Sequence, residues 1–107
     1  FHNSIAATGD MFSSIEWRFS STSIELRNNL ATHRMREREG ARAEQSGNLE
    51  IDAEGTFVDI ASGDLHLLPS ATSVIDQGTP LESGICDLDI DGDLRDGTPD
   101  PGADEHL

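Results

Sequence analysis

Four aspartates recur at alternate positions near the C-terminal end of the chain, Asp87, Asp89, Asp91 and Asp93, with Gly92 between the last two. Carboxylates at this spacing, followed by glycine, match the first half of an EF-hand calcium loop. There the glycine permits the sharp turn that lets the oxygens converge on Ca²⁺. The second half of the pattern is missing. Twelfth from Asp87, where a bidentate glutamate belongs, stands Thr98, so a calcium shell would have to draw on Asp96 or Asp100. The same acids have a structural alternative, in which they accept hydrogen bonds from backbone amides of the tail while Arg95 pairs with Asp104 or Glu105. A planar guanidinium holds a carboxylate through two parallel bonds and would pin the tail down. Ca²⁺ on Asp87, Asp89, Asp91 and Asp93 is the one cofactor the sequence suggests.

The remaining reactive residues form no such constellation. His2, His33, His66 and His106 are scattered, and none has the spacing to cysteine, histidine or glutamate of a zinc site. His66 alternates with Leu65 and Leu67, which points it outward from a strand or toward a neighbouring segment. The single cysteine, Cys86, excludes an intrachain disulfide. Between Ile85 and Asp87 it reads as a small buried hydrophobe and not as a nucleophile. There is no nucleophile elbow, phosphate loop or dinucleotide fingerprint. A polysaccharide lyase needs a basic residue beside calcium, yet lysine is absent and Arg95 has acidic partners nearby. A glycoside hydrolase needs two carboxylates across a cleft, and abundance of acids does not supply that geometry. No catalytic residue is assigned.

Charge narrows the partners. The 107 residues carry 21 acids against 7 basic residues, all of them arginine. Residues 1–50 are nearly balanced at −1, whereas residues 51–107 reach −13 with Arg95 alone in opposition. Such a field repels nucleic acid and anionic membranes, whose binding rests on basic groups, and it favours cations. Acidity of this kind also serves solubility in a salty medium. No run approaches the roughly 18 apolar residues of a membrane span, so no membrane insertion is expected.

Repetition indicates what would position these groups. His-Asn-Ser-Ile at 2–5, Arg-Asn-Asn-Leu at 27–30 and Ser-Gly-Asn-Leu at 46–49 place Asn3, Asn29 and Asn48 at intervals of 26 and 19 residues. That is close to one solenoid coil of short strands and turns. Asparagine suits the corner, tolerating left-handed backbone and offering its amide to an asparagine one coil on. Between the markers, alternation predicts half-buried strands, with Ile15, Trp17 and Phe19 inward in one and Ile24 and Leu26 inward in the next. Ser20-Ser21-Thr22 is the turn between them. Residues 31–45 fit least. They read either as a charged helix interrupted at Gly40 or, the preferred reading, as an irregular strand and turn. From residue 56 the apolar pieces shorten, and beyond Leu94 the tail is composed of loop formers.

These residues carry a family resemblance. Phe57-Val58-Asp59, Gly63-Asp64-Leu65-His66-Leu67 and the run 70–78 (SATSVIDQG) resemble the closing part of bacterial right-handed parallel β-helix proteins, the pectate-lyase-like secreted and surface proteins. The ending 89–95 (DIDGDLR) with 100–105 (DPGADE) is similar to their terminal motif, and the asparagine phrases to their last coils. Pro101 departs from it, standing where an aliphatic residue is usual, which predicts a shortened last strand. The resemblance implies an all-β right-handed parallel β-helix of about two coils plus a C-terminal cap, a fragment of a longer solenoid. Residues 1–55 would form coils, and residues 56–107 the final coil and capping tail. It further implies export to the cell surface or medium, with a signal peptide upstream of Phe1. The role expected is a structural end module. The alternative is part of a carbohydrate-active protein binding polysaccharide, or a calcium-binding module. An uncapped coil around Phe1, Ile5 and Phe12 would self-associate.

Overall fold

The computed structural model describes residues 1–107 and is nearly all β, its one regular helical piece being a 3-10 turn at Ile60–Ser62. The strands are β1 (Ser4–Ile5), β2 (Ile15–Arg18), β3 (Ser23–Arg27), β4 (Leu30–Ala31), β5 (Met35–Arg38), β6 (Arg42–Ser46), β7 (Leu49–Glu50), β8 (Phe57–Asp59) and β9 (Asp64–Leu67). They make four short, separate sheets: β1-β4-β7, β2-β5 and β3-β6 are parallel, and β8-β9 is antiparallel. They form neither a continuous solenoid nor a closed barrel, so of the β-helix expectation the all-β character and the parallel pairing are what the structure shows. The parallel pairs are in step. Ser4 lies beside Leu30 and Leu30 beside Leu49, Ile15 beside Met35, and Ser23 beside Arg42. The chain therefore returns over itself every 19 to 26 residues.

Asparagines hold the corners at which it returns. Asn29 Oδ1 accepts from the Asn3 backbone N–H at 3.1 Å and from Asn3 Nδ2 at 2.8 Å. Asn48 Oδ1 accepts from the N–H and Nδ2 of Asn29 in the same way, at 3.0 and 2.9 Å, and Asn48 Nδ2 donates to Leu26 O. Asn29 is fully buried, and its amide is satisfied from both sides, as a buried polar group requires. Its neighbour Asn28 sits in the left-handed region at φ 57, which an asparagine adopts more readily than most residues. Close by, Gly47 approaches Asn28 so tightly that an added Cβ would lie 2.0 Å from its Oδ1, so no larger residue fits there.

Two apolar clusters follow from this alternation. Trp17, Leu26 and Ala41, with Ile15, Ile24, Met35 and Ala43, pack between the β2-β5 and β3-β6 pairs. Leu30 packs on Phe57, Leu67, Ala71 and Val74, flanked by Leu49, Ile51 and Leu65. The C-terminal half therefore packs against one face of β1-β4-β7. The outer edges of β2, β3, β5 and β6 accordingly have no strand partner.

Residues 31–45 are strands β5 and β6 joined by a turn at Glu39 and Gly40, both at positive φ. Parallel pairing outweighs the helix propensity of the arginine-glutamate run, because Glu16 and Arg18 of β2 meet Arg38 and Glu39 across the pair, at 3.4 and 2.8 Å. Two inward expectations need correction. Phe19 lies beyond the end of β2, at φ 74 in the turn that brings Thr22 N to its carbonyl, and is exposed; the turn breaks the alternation. Cys86 is exposed, at φ 55 in an irregular loop with no sheet to bury it. Around Pro101 no strand forms. Phe12 is exposed, but its ring carries the Arg36 guanidinium at 3.8 Å.

Asn29→Ala removes the acceptor shared by the two Asn3 donors and the Nδ2 bond to Asn48, at a net cost of about 1 kcal/mol per hydrogen bond lost. Thermal unfolding followed by circular dichroism should show a clear fall in midpoint, larger than that of a surface change such as Glu54→Ala.

Candidate functional site

The acidic tail folds as a small hairpin on the flank. Arg95 N donates to Asp87 O and Asp89 N to Asp93 O, both at 2.9 Å, with Leu88 opposite Leu94 and Gly92 turning at φ 90. The two-residue spacing of the four aspartates favours one face, but only three of them come together. The Asp87 carboxylate turns back to accept from Gly84 N at 2.9 Å through both oxygens. Carboxylate oxygens of Asp89, Asp91 and Asp93 lie within 4.8 Å of one another. Asp89 is half occupied with backbone. Its Oδ1 accepts from the N–H groups of Asp91 and Asp93, and its Oδ2 from Glu105 N. Burial works to raise the Asp89 carboxyl, but these three donors and the nearby Arg95 outweigh it and hold the group below its ordinary range. The two acids needed to complete a calcium shell point elsewhere. Asp96 Oδ1 accepts from Thr98 N, and the oxygens of Asp100 accept from Asp76 N and His106 N.

Arg95 anchors the tail. Its Nη1 donates to Glu105 Oε2 at 3.2 Å and to Asp100 O at 3.3 Å, and its Nη2 to Gly102 O and Ala103 O at 3.1 and 2.9 Å. Both side chains of the pair are almost wholly buried. The carboxylate of Glu105 also accepts from Asp96 N and Asp100 N. Burial pushes both Glu105 and Asp100 above the usual carboxylate range in spite of these donors. Arg95 was expected on Asp104 or Glu105, and it is Glu105. Asp104 instead accepts from Leu67 N of β9 at 2.7 Å.

Two contacts fasten this tail to the start of the chain. Ala103 N donates to Ser4 Oγ, and Gly102 N to Asn28 O. His2 is buried between them. Asn28 uses its Oδ1 for Thr79 N and its Nδ2 for Thr79 O and His2 Nε2. Nε2 of His2 is therefore an acceptor, and the ring proton sits on Nδ1, which donates to Gly102 O at 3.2 Å. Burial, together with the positive charge of Arg95, pushes the imidazole down from 6.5 to about 4.

His66 is the residue whose surroundings the sequence concealed. Its Nδ1 meets Asp64 Oδ1 at 2.5 Å and its Nε2 meets Asp91 Oδ2 at 2.8 Å. These two bonds raise the imidazole to about 9, although the pair is exposed and salt will screen the effect. Asp64 and His66 are two apart on one face of β9, which alternation alone foretells. Asp91 and Asp104 arrive through tertiary folding, with no local signal. His33 and His106 join neither cluster; Trp17 is core, as alternation predicted.

No family model, curated protein or solved structure matches the chain. No helix is long and apolar enough to cross a membrane.

Removing the guanidinium while retaining its apolar length, Arg95→Met, leaves Glu105 as an unpaired buried charge. This should cost about 3–5 kcal/mol, read as a lowered urea midpoint at pH 7. For His2 the folded form disfavours the proton, so between pH 6.5 and about 4 the unfolded chain binds more protons and stability falls as the pH is lowered. Urea midpoints across that window should drop more steeply for the natural chain than for His2→Gln; equal slopes would show that His2 is not the group responsible.

Proposed function

We propose that this chain is a structural end module of an exported right-handed parallel β-helix protein acting at the cell surface or outside the cell. The observation that carries the reading is the asparagine ladder through Asn3, Asn29 and Asn48, in step with four parallel strand pairings. Short parallel strands that repeat in register bury little alone and gain stability by stacking, and parallel crossovers are overwhelmingly right-handed. The tail lashes the flank of the stack with Arg95, Glu105 and Asp104. The unpaired edges of β1, β2 and β3 are templates for another coil, which for the isolated chain is a second copy. Light scattering should show mass rising with concentration, and a strictly monomeric species at high concentration would count against the reading. Turnover of an acidic polysaccharide by this chain would replace it with that of a carbohydrate-active enzyme.

The closeness of Asp89, Asp91 and Asp93 favours a second reading, a calcium-stabilised loop. A ligand bound by the folded state alone raises the unfolding midpoint. Millimolar Ca²⁺ should therefore raise it relative to chelator, and the rise should shrink in Asp93→Asn. An unchanged midpoint would leave the loop as a purely hydrogen-bonded turn.

A further inference from the structure

We propose that His66, Asp91 and Asp104 form a binding site for a divalent transition-metal ion of the zinc type, with Asp64 orienting the histidine. The three side chains come from separate segments: β9, the tip of the 87–95 hairpin and the terminal tail. Yet one donor atom from each lies within 4.8 Å of the others. Tetrahedral zinc takes imidazole nitrogen and carboxylate oxygen at about 2.0–2.2 Å, so three donors this close can share one ion after small rotations of exposed side chains.

Three features distinguish this cluster from a chance meeting of surface acids. Asp64 holds Nδ1 of the ring at 2.5 Å, which turns Nε2 toward Asp91, the orientation that accompanies histidine ligands in metal sites; an ion bound there takes the place of the proton that Nε2 now shares with Asp91. Asp104 is preorganised. It is more than nine-tenths buried, and its Oδ2 is locked by Leu67 N, while Oδ1 accepts no hydrogen bond from the chain. A cation would engage that lone pair without breaking the anchor. Beside the cluster an open hollow of about 520 Å³, lined in part by Asp64, His66, Ile90 and Ala103, leaves space for water in the remaining coordination positions.

Ligand chemistry sets this site apart from the calcium reading. Imidazole suits zinc and its neighbours, whereas calcium is bound by oxygen alone. The oxygen-only group of Asp89, Asp91 and Asp93 shares Asp91 with it and nothing else. The two ions would compete for one carboxylate, but each has a residue the other does not use.

Isothermal titration of the 107-residue chain with Zn²⁺ tests the proposal, with Co²⁺ absorption reporting the geometry. One ion per chain is expected, with tetrahedral cobalt bands. His66→Gln should weaken binding by more than the roughly 10- to 100-fold expected for the orienting variant Asp64→Asn. Asp93→Asn should leave Zn²⁺ affinity unchanged, because Asp93 belongs to the oxygen-only group alone. The His66 and Asp64 side chains are both well exposed, so these variants should retain the β signal of the natural chain. The absence of Zn²⁺ binding, or binding that survives His66→Gln, would overturn the proposal. Loss of Zn²⁺ binding in Asp93→Asn would assign the ion to the oxygen-only group instead.

Discussion

The terminal motif depends on one guanidinium. Residues 87–107 bring little apolar surface to the core, since Leu88, Ile90, Leu94 and Leu107 are all exposed and, of their apolar side chains, only Pro99 and Pro101 are buried, so hydrophobic burial alone does not order them. Arg95 supplies what is missing. Four of its bonds end on acceptors between residues 100 and 105, and the carboxylate it meets collects two further backbone donors. All but one of the buried polar atoms of this pair are thereby matched, which is the condition under which polar burial opposes folding least. Arginine Nε remains without a partner, a residual cost the other bonds must offset. Lysine could not replace it, because a single ammonium cannot reach carbonyls and a carboxylate in one plane.

That network has meaning only on the surface it is tied to. Gly102 passes so close to β1 and β4 that a Cβ would meet Ser4 Oγ at 2.6 Å and Leu30 Cβ at 3.2 Å. The tail therefore fits only where the in-step strands present Ser4 beside Leu30, and the register in turn rests on the asparagine corners. A slip of one residue would send Leu30 to the opposite face and remove the floor from under Phe57, Leu67 and Val74. Ladder, flank cluster and tail thus form a single cooperative unit.

Much of this was legible in the residues. The asparagine spacing pointed to the corners, and alternation gave Trp17 and Leu26 as core and Phe19 wrongly, because a period of two says nothing about where a strand ends. The Arg95–Glu105 pair was visible as two alternatives, between which only geometry decides: Asp104 is taken by a backbone N–H of β9. The position of residues 56–107 along the flank was not legible. Nothing in short apolar pieces such as Leu65 to Leu68 says whether they stack as another coil or lie across a sheet face. Cys86 was misjudged because it was read beside Ile85 as a small buried hydrophobe, where the chain forms an irregular, exposed loop. The meeting of His66 with Asp91 and Asp104 depends on three segments whose separation in sequence hides it.

The acidity of the second half also takes on a definite sense. Eight of its acids have carboxylates that accept backbone N–H groups: Asp59, Asp64, Asp87, Asp89, Asp96, Asp100, Asp104 and Glu105. In a segment short of regular strands the backbone donors have no ladder to pair with, and buried ones must find another acceptor. Aspartate, short and carrying two oxygens, serves such donors at turns better than any neutral residue. The local concentration of negative charge is then partly a consequence of replacing sheet hydrogen bonds by side-chain ones. Asp91 and Asp93 stand outside that explanation, since neither carboxylate accepts from the backbone, and it is on these two that a bound cation would have most to act.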